Sequence, residues 1–157
     1  MKFKKVFIFI VMSFIFILGV DAASLEFDSK SSLTIKQGET ETISIKLKIN
    51  NDETVEKVEF DLIYNKDLLG IKEIANENGY AQVKNNNTVS VLKVKDNLTD
   101  GVIYSIDVTN NSTEDAGEVI EIKNIIINGN AIDEDISKTL TLKKQVTTTA
   151  RGLNTSA

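Results

Sequence analysis

Apolar residues recur at every second position in one short run after another, and polar turn residues cut the runs apart. Ile43, Ile45, Leu47 and Ile49 alternate with Ser44, Lys46 and Lys48. Val58, Phe60, Leu62 and Tyr64 alternate with Glu59, Asp61 and Ile63, and Val102, Tyr104, Ile106 and Val108 have Ser105 and Asp107 between them. A period of two places such side chains on one face of a β-strand. No window carries a sustained apolar stripe at the 3.6-residue period of a helix. Turn-forming clusters stand between the runs: Gln37-Gly38-Glu39, Asn50-Asn51-Asp52, Asn65-Lys66-Asp67, Asn85-Asn86-Asn87, Asp100-Gly101, Glu114-Asp115-Ala116-Gly117 and Asn128-Gly129-Asn130. The runs predict about nine short strands, near 33–35, 42–49, 56–64, 68–74, 80–84, 88–95, 101–108, 118–128 and 136–142. Strands of this length and spacing imply an all-β, two-sheet sandwich of the jelly-roll kind. No connection is long enough for the crossover helix of a parallel sheet. The two longest loops, around 95–101 and 109–117, are polar and expected to be exposed.

Both ends of the chain fall outside this pattern. Lys2, Lys4 and Lys5 precede an apolar run from Val6 to Val20 broken only by Ser13 and Gly19, and small residues follow, with Val20 and Ala22 at the −3 and −1 places. That is the three-part layout of a secretory signal peptide over residues 1–22, and its apolar run is too short to span a bilayer as a helix. The mature chain is expected to begin at Ala23 or Ser24, to be secreted or held at the cell surface, and to have no segment inserted in the membrane. A lipoprotein anchor is excluded because the chain has no Cys. Residues 24–142 form the predicted sandwich. Residues 143–157 are polar, rich in Thr and Ser, and predicted to be a disordered tail or linker.

Charge and composition then remove several function classes. Losing residues 1–22 takes three Lys and one Asp from totals of 18 basic and 23 acidic residues, leaving 15 and 22. A net negative surface argues against nucleic acid and anionic lipid, whose phosphates need Lys and Arg. Without His or Cys, the usual nucleophile–base triads and zinc sites cannot be assembled. No G-x-S-x-G or P-loop occurs, and nothing in the pattern places two carboxylates in a cleft, so the chain reads as non-catalytic. Asp133, Glu134 and Asp135, and Asn50-Asn51-Asp52, carry oxygen ligands of the type Ca²⁺ accepts but lack the 12-residue loop spacing, and no metal or other cofactor is assigned. There is no Trp. Tyr64 and Tyr104 fall on predicted core faces, leaving Tyr80 as the one candidate ring for sugar stacking.

The stretch Glu59 to Ile71, "EFDLIYNKDLLGI", reads as a strand that stops at a polar corner and starts again. Asn65 can accept a backbone hydrogen bond in an Asx turn, after which Leu68, Leu69 and Ile71 re-enter the core, letting successive strands join different sheets. Together with "LTIKQGETETISIKLKINN" before it, and with "DGVIYSIDV" and "AGEVIEIKNIIINGNAI" later, this stretch resembles a cohesin domain over about residues 30–142. In that family the corner usually carries Asp followed by Pro, where this chain has Asn65 and no Pro.

The resemblance implies a non-catalytic module that docks a partner called dockerin in a polysaccharide-degrading or surface assembly. It also implies that any Ca²⁺ belongs to the partner. The docking face of the family is built from its third, fifth, sixth and eighth strands. By strand order it would here carry Lys57, Glu59, Asp61 and Ile63, with Ser90 and Leu92 opposite. Alternation alone leaves the facing of residues 88–94 open, since Val89, Val91 and Lys93 compete with Ser90, Leu92 and Val94. A carbohydrate-binding module that takes polysaccharide, or an Ig-like adhesin spacer, would share the same sandwich class.

Overall fold

The computed structural model describes residues 23–28, 32–50, 52–75, 79–93 and 96–147. The predicted signal-peptide helix lies outside the described residues, as do Asn51, Val94 and most of the C-terminal tail. Eleven strands occur: β1 (Ser24–Phe27), β2 (Ser32–Lys36), β3 (Thr40–Lys48), β4 (Lys57–Ile63), β5 (Leu69–Ile74), β6 (Tyr80–Asn85), β7 (Thr88–Lys93), β8 (Gly101–Asn110), β9 (Ala116–Ile127), β10 (Asn130–Ala131) and β11 (Ile136–Lys143). No helix occurs among the described residues. The nine predicted strands are all present. The two additions, β1 and β10, have four and two residues, too short to show a period.

The strands form two sheets. The smaller has the order β1-β3-β8-β5; the larger has the order β2-β11-β9-β4-β7-β6, with β10 paired to β9. All pairings are antiparallel except β2 with β11, which run parallel from Ser32↔Thr139 to Lys36↔Lys143. Between the sheets lies a core of alternate side chains, including Ile35, Ile43, Ile45, Leu47, Val58, Phe60, Leu62, Val89, Val91, Ile106, Val108, Ile120, Ile122, Leu140 and Leu142, all buried. Phe60 of the larger sheet meets Tyr104 of the smaller edge to face, with ring centroids 5.5 Å apart. The Tyr104 hydroxyl donates to Glu73 Oε1 at 2.7 Å, and burial, then this bond, raises its pKa.

The corner after β4 forms as its sequence implies. The Asp67 amide donates to Asn65 Oδ1 at 3.0 Å, and the Leu69 amide donates to the Asn65 carbonyl at 3.0 Å. This Asx turn carries the chain from the larger sheet in β4 to the smaller sheet in β5. Asn128-Gly129 makes the two-residue hairpin between β9 and β10, with φ of 51° and 80°; both central residues at positive φ is the geometry for which Asn-Gly is selected.

Both long loops are largely exposed, as expected, but each sends side chains inward. Leu98 is buried, and its amide donates to the Val55 carbonyl at 2.7 Å. Asn110 and Ser112 are also buried. Asn110 Nδ2 donates to the carbonyls of Ile35 at 2.8 Å and Lys143 at 3.2 Å, while its Oδ1 accepts from the Ser112 amide at 2.8 Å. Leu98, Asn110 and Ser112 turn inward and seal the ends of the sandwich, where backbone polar groups need partners. Beyond β11, the amides of Lys144 and Gln145 donate to Asp115 Oδ1 and Gln37 Oε1.

Candidate functional site

Four neighbouring strands of the larger sheet, in the order β9-β4-β7-β6, expose a continuous outer face. Val58, Phe60 and Leu62 of β4 and Val89 and Val91 of β7 are buried. The residues between them therefore point away from the core, and all six residues picked from the sequence lie on this one surface. Lys57 pairs with Leu92 and Glu59 with Ser90 across β4 and β7. Over the described residues 88–93 burial settles the ambiguity: Val89 and Val91 face inward, Ser90 and Leu92 outward. Ile63, one of the apolar outliers on this face, is partly exposed and stands opposite Glu121 of β9.

The structure adds residues that strand order alone did not supply. Ile126 stands opposite Glu59, and Val83 opposite Ser90. The row Val83, Ser90, Glu59, Ile126 thus crosses the face from β6 to β9. Val83 is 58% exposed. Ile126 was hidden in the run Ile125-Ile126-Ile127, which reads as uniformly buried. A bulge explains its direction. Between Glu59 and Asp61 the register of β4 on β9 slips by one residue, and Asn124 takes φ of 50°. The extra residue switches the inward set from Ile120 and Ile122 to Ile125 and Ile127, and Ile126 is left on the outside.

The polar residues of the face are engaged with one another. Lys57 Nζ is 2.8 Å from Glu59 Oε1, which also accepts from Ser90 Oγ at 3.1 Å. Asp61 accepts from Thr88 Oγ1 at 2.6 Å and from Asn124 Nδ2 at 2.7 Å, so it also ties down the bulge. Lys123 Nζ lies 3.1 Å from Glu121 Oε1. Glu59 and Asp61 both have lowered pKa values, Glu59 chiefly through Lys57 and Asp61 chiefly through Thr88 and then Asn124. The charges of the face are paired with one another, and among them stand the apolar side chains of Ile63, Val83, Leu92 and Ile126. The outer face of the smaller sheet contrasts with it. There, cross-strand bonds link Thr40 to Thr109, Thr42 to Asp107 and Ser44 to Ser105, so five short hydroxyl groups and one carboxylate are already paired.

The lowered pKa of Asp61 gives a testable sign. A carboxylate depressed in the folded state adds stability above its unfolded pKa of about 3.9, and that stability disappears as pH falls through the lower folded value. Asp61→Asn is expected to lower the urea midpoint at pH 7, and the gap from the parent is expected to narrow as pH falls below the unfolded value of about 3.9. A gap that persists undiminished at acid pH would show that the charge of Asp61 contributes nothing.

The remaining candidates are weaker. Asp133, Glu134 and Asp135 line a shallow open hollow with Asn124, Ile126 and Ile132. Among the described residues no group of three or more His, Cys, Asp or Glu side chains is placed to hold a metal ion. Tyr80 is half-buried, packs on the core, and shares a 2.9 Å hydrogen bond between its hydroxyl and Thr99 Oγ1. Lys93 Nζ lies 6.0 Å from its ring centroid. The ring is therefore a structural element at the end of β6 rather than an open stacking platform.

No protein-family model matches the sequence, and no curated protein matches it. Solved structures do. A cohesin module from a family 33 glycoside hydrolase of Clostridium perfringens superposes with a TM-score of 0.61 at 14% identity, covering 79% of this chain and 98% of that one. The cohesin of a type I cohesin–dockerin complex from Clostridium thermocellum gives a TM-score of 0.55 at 14% identity, over 79% of this chain and 95% of that one. A non-cellulosomal cohesin from the hyperthermophilic archaeon Archaeoglobus fulgidus gives 0.55 at 15% identity, over 77% and 91%. The strand order, the corner after β4 and these superpositions agree that the β-sandwich of this chain has the cohesin fold.

Proposed function

We propose that the chain is a secreted or cell-surface, non-catalytic docking module that binds a dockerin-type protein through the outer face of β9-β4-β7-β6. The observation that carries this reading is the layout of that face. Ile63, Val83, Leu92 and Ile126 stand among polar groups whose charges are already fixed by neighbours. Apolar anchors within a pre-organised polar surround make a small hot-spot surface, since little side-chain freedom remains to be lost on binding. Several structures of like fold are cohesins in complex with dockerins. Lys57, Glu59, Asp61 and Ser90 supply the polar part of the proposed interface, and the metal of such a complex would be the partner's.

Calorimetric titration with calcium-loaded dockerin modules tests the reading, with insoluble cellulose as a second ligand. Ile63→Ala and Ile126→Ala are each expected to weaken dockerin binding by about 1–2 kcal/mol or more. Both are expected to leave the unfolding midpoint nearly unchanged, because both side chains point outward. Binding to cellulose with no dockerin affinity would replace this reading with a carbohydrate-binding one. Dockerin binding that neither substitution affects would move the interface to another surface.

A further inference from the structure

Ala23 lies at the junction between the predicted leader and the sandwich, and its surroundings are specific. Its side chain is 1% exposed and belongs to the core with Leu25. The next residue opens β1, which pairs with β3 from Ser24↔Lys48 to Phe27↔Ile45. The backbone nitrogen of Ala23 donates to Glu53 Oε2 at 2.9 Å, a contact reaching across 30 positions of sequence. Glu53 is held in its own turn, where its amide donates to the Asn50 carbonyl at 3.3 Å. Two residues on, Val55 is buried and bridged to Leu98. A carboxylate is thus aimed at one backbone nitrogen, and that nitrogen follows the small residue Ala22 at the −1 place of the leader pattern.

From this we infer that hydrolysis of the Ala22–Ala23 bond produces the mature chain and that Glu53 receives the resulting α-ammonium group. The inference rests on the reading of the chain as secreted. A leader peptidase adds water across the bond, leaving a carboxylate on Ala22 and an amine on Ala23. The α-amino group, with an ordinary pKa of about 7.7–8.0, is mainly protonated at neutral pH. A bond between a neutral amide and a carboxylate becomes one between an ammonium and a carboxylate, and charge assistance strengthens it. Cleavage one residue later would delete a buried methyl group and the Glu53 contact together. Cleavage at Ala22–Ala23 keeps both, so the mature domain is held more firmly than the same sandwich with its leader attached.

The full chain with its own leader, expressed in a secreting bacterium, is analysed by intact mass and N-terminal sequencing of the exported protein. Ala23 as first residue is the expected result. The exported protein is then compared in four forms, with Ala23 free or α-acetylated and with Glu53 or the Glu53→Gln replacement. Acetylation is expected to lower the folding equilibrium constant several-fold when Glu53 is present and to have little effect with Glu53→Gln. An exported chain that begins at Ser24 or beyond would overturn the inference while leaving secretion intact. Retention of the uncleaved chain in the membrane would overturn both. An equal effect of acetylation in the two backgrounds would remove Glu53 from the role.

Discussion

Asn110→Ala is expected to destabilise the domain by about 3 kcal/mol. The side chain is fully buried and makes three hydrogen bonds, to the Ile35 carbonyl, the Lys143 carbonyl and the Ser112 amide. These groups belong to β2, to β11 and to the loop that follows β8. Nearby, the Gly38 amide donates to the Asn110 carbonyl at 2.8 Å, and the Asn110 amide donates to the Glu39 carbonyl at 3.2 Å. Truncation to Ala keeps those backbone bonds but removes three hydrogen bonds at about 1 kcal/mol each; the buried Ser112 amide loses its side-chain acceptor, whereas the Lys143 carbonyl keeps the Gln37 amide at 2.7 Å. Asn110→Asp separates hydrogen bonding from size. It keeps the acceptor for Ser112 but sets a carboxylate oxygen against two carbonyl oxygens, so at neutral pH it is expected to be at least as damaging as Ala. Urea unfolding at pH 7 measures both. A loss below about 1 kcal/mol for Asn110→Ala would mean that the end of the sandwich closes without this residue.

Phe60→Ala is expected to cost about 3–5 kcal/mol, a large share of the roughly 5–15 kcal/mol that stabilises a domain of ordinary size. Phe60 is 1% exposed and joins the sheets through its edge-to-face contact with Tyr104. The cost combines lost transfer free energy, a cavity between two sheets that cannot both move inward, and the aromatic pair itself, about 0.5–1.5 kcal/mol. Phe60→Leu keeps much of the volume and is expected to cost clearly less. Thermal and urea unfolding of the two variants give the comparison. Similar losses for Ala and Leu would show that filling the space matters little and that the ring geometry carries the effect.

The strands were legible where apolar side chains alternate over at least four residues, as in Ile43 to Ile49 and Val58 to Tyr64. Legibility failed wherever the backbone inserted a residue. At Asn124 the bulge reversed the parity of β9 and put Ile126 on the outer face, and nothing in a run of three Ile residues marks which one turns outward. In β8 the register slips where Ile45 pairs with Tyr104 and Lys46 with Val102. The extra residue, Ile103, is buried beside Tyr104, although strict alternation would send it outward. Residue type misled in the opposite sense at Asn110. Alternation from Ile106 and Val108 places it inside, but the surrounding Asn, Ser and Thr read as an exposed loop. Lys138 is buried as well, and burial lowers its pKa; it occupies an inward position of β11 that composition would assign to an aliphatic residue. On the candidate face, strand order found Lys57, Glu59, Asp61, Ile63, Ser90 and Leu92. Val83 and Ile126 required the cross-strand register, which depends on hairpin geometry and bulges rather than on any one strand's pattern.

The parallel ladder between β2 and β11 sets a timetable. Residues 32–36 pair with residues 139–143, so more than a hundred residues separate partners in the same five-pair ladder. A chain made from its N-terminus at roughly 5–20 residues per second offers β2 several seconds before its partner exists. During that interval β2 has no completed edge to join, and Asn110 lacks the Lys143 carbonyl it will bind. Such a high contact order slows folding and concentrates the decisive closure at the end of synthesis. The larger sheet therefore cannot close until β11 arrives, a delay that would suit the proposed secretion, since a translocation channel threads chains that have not yet folded.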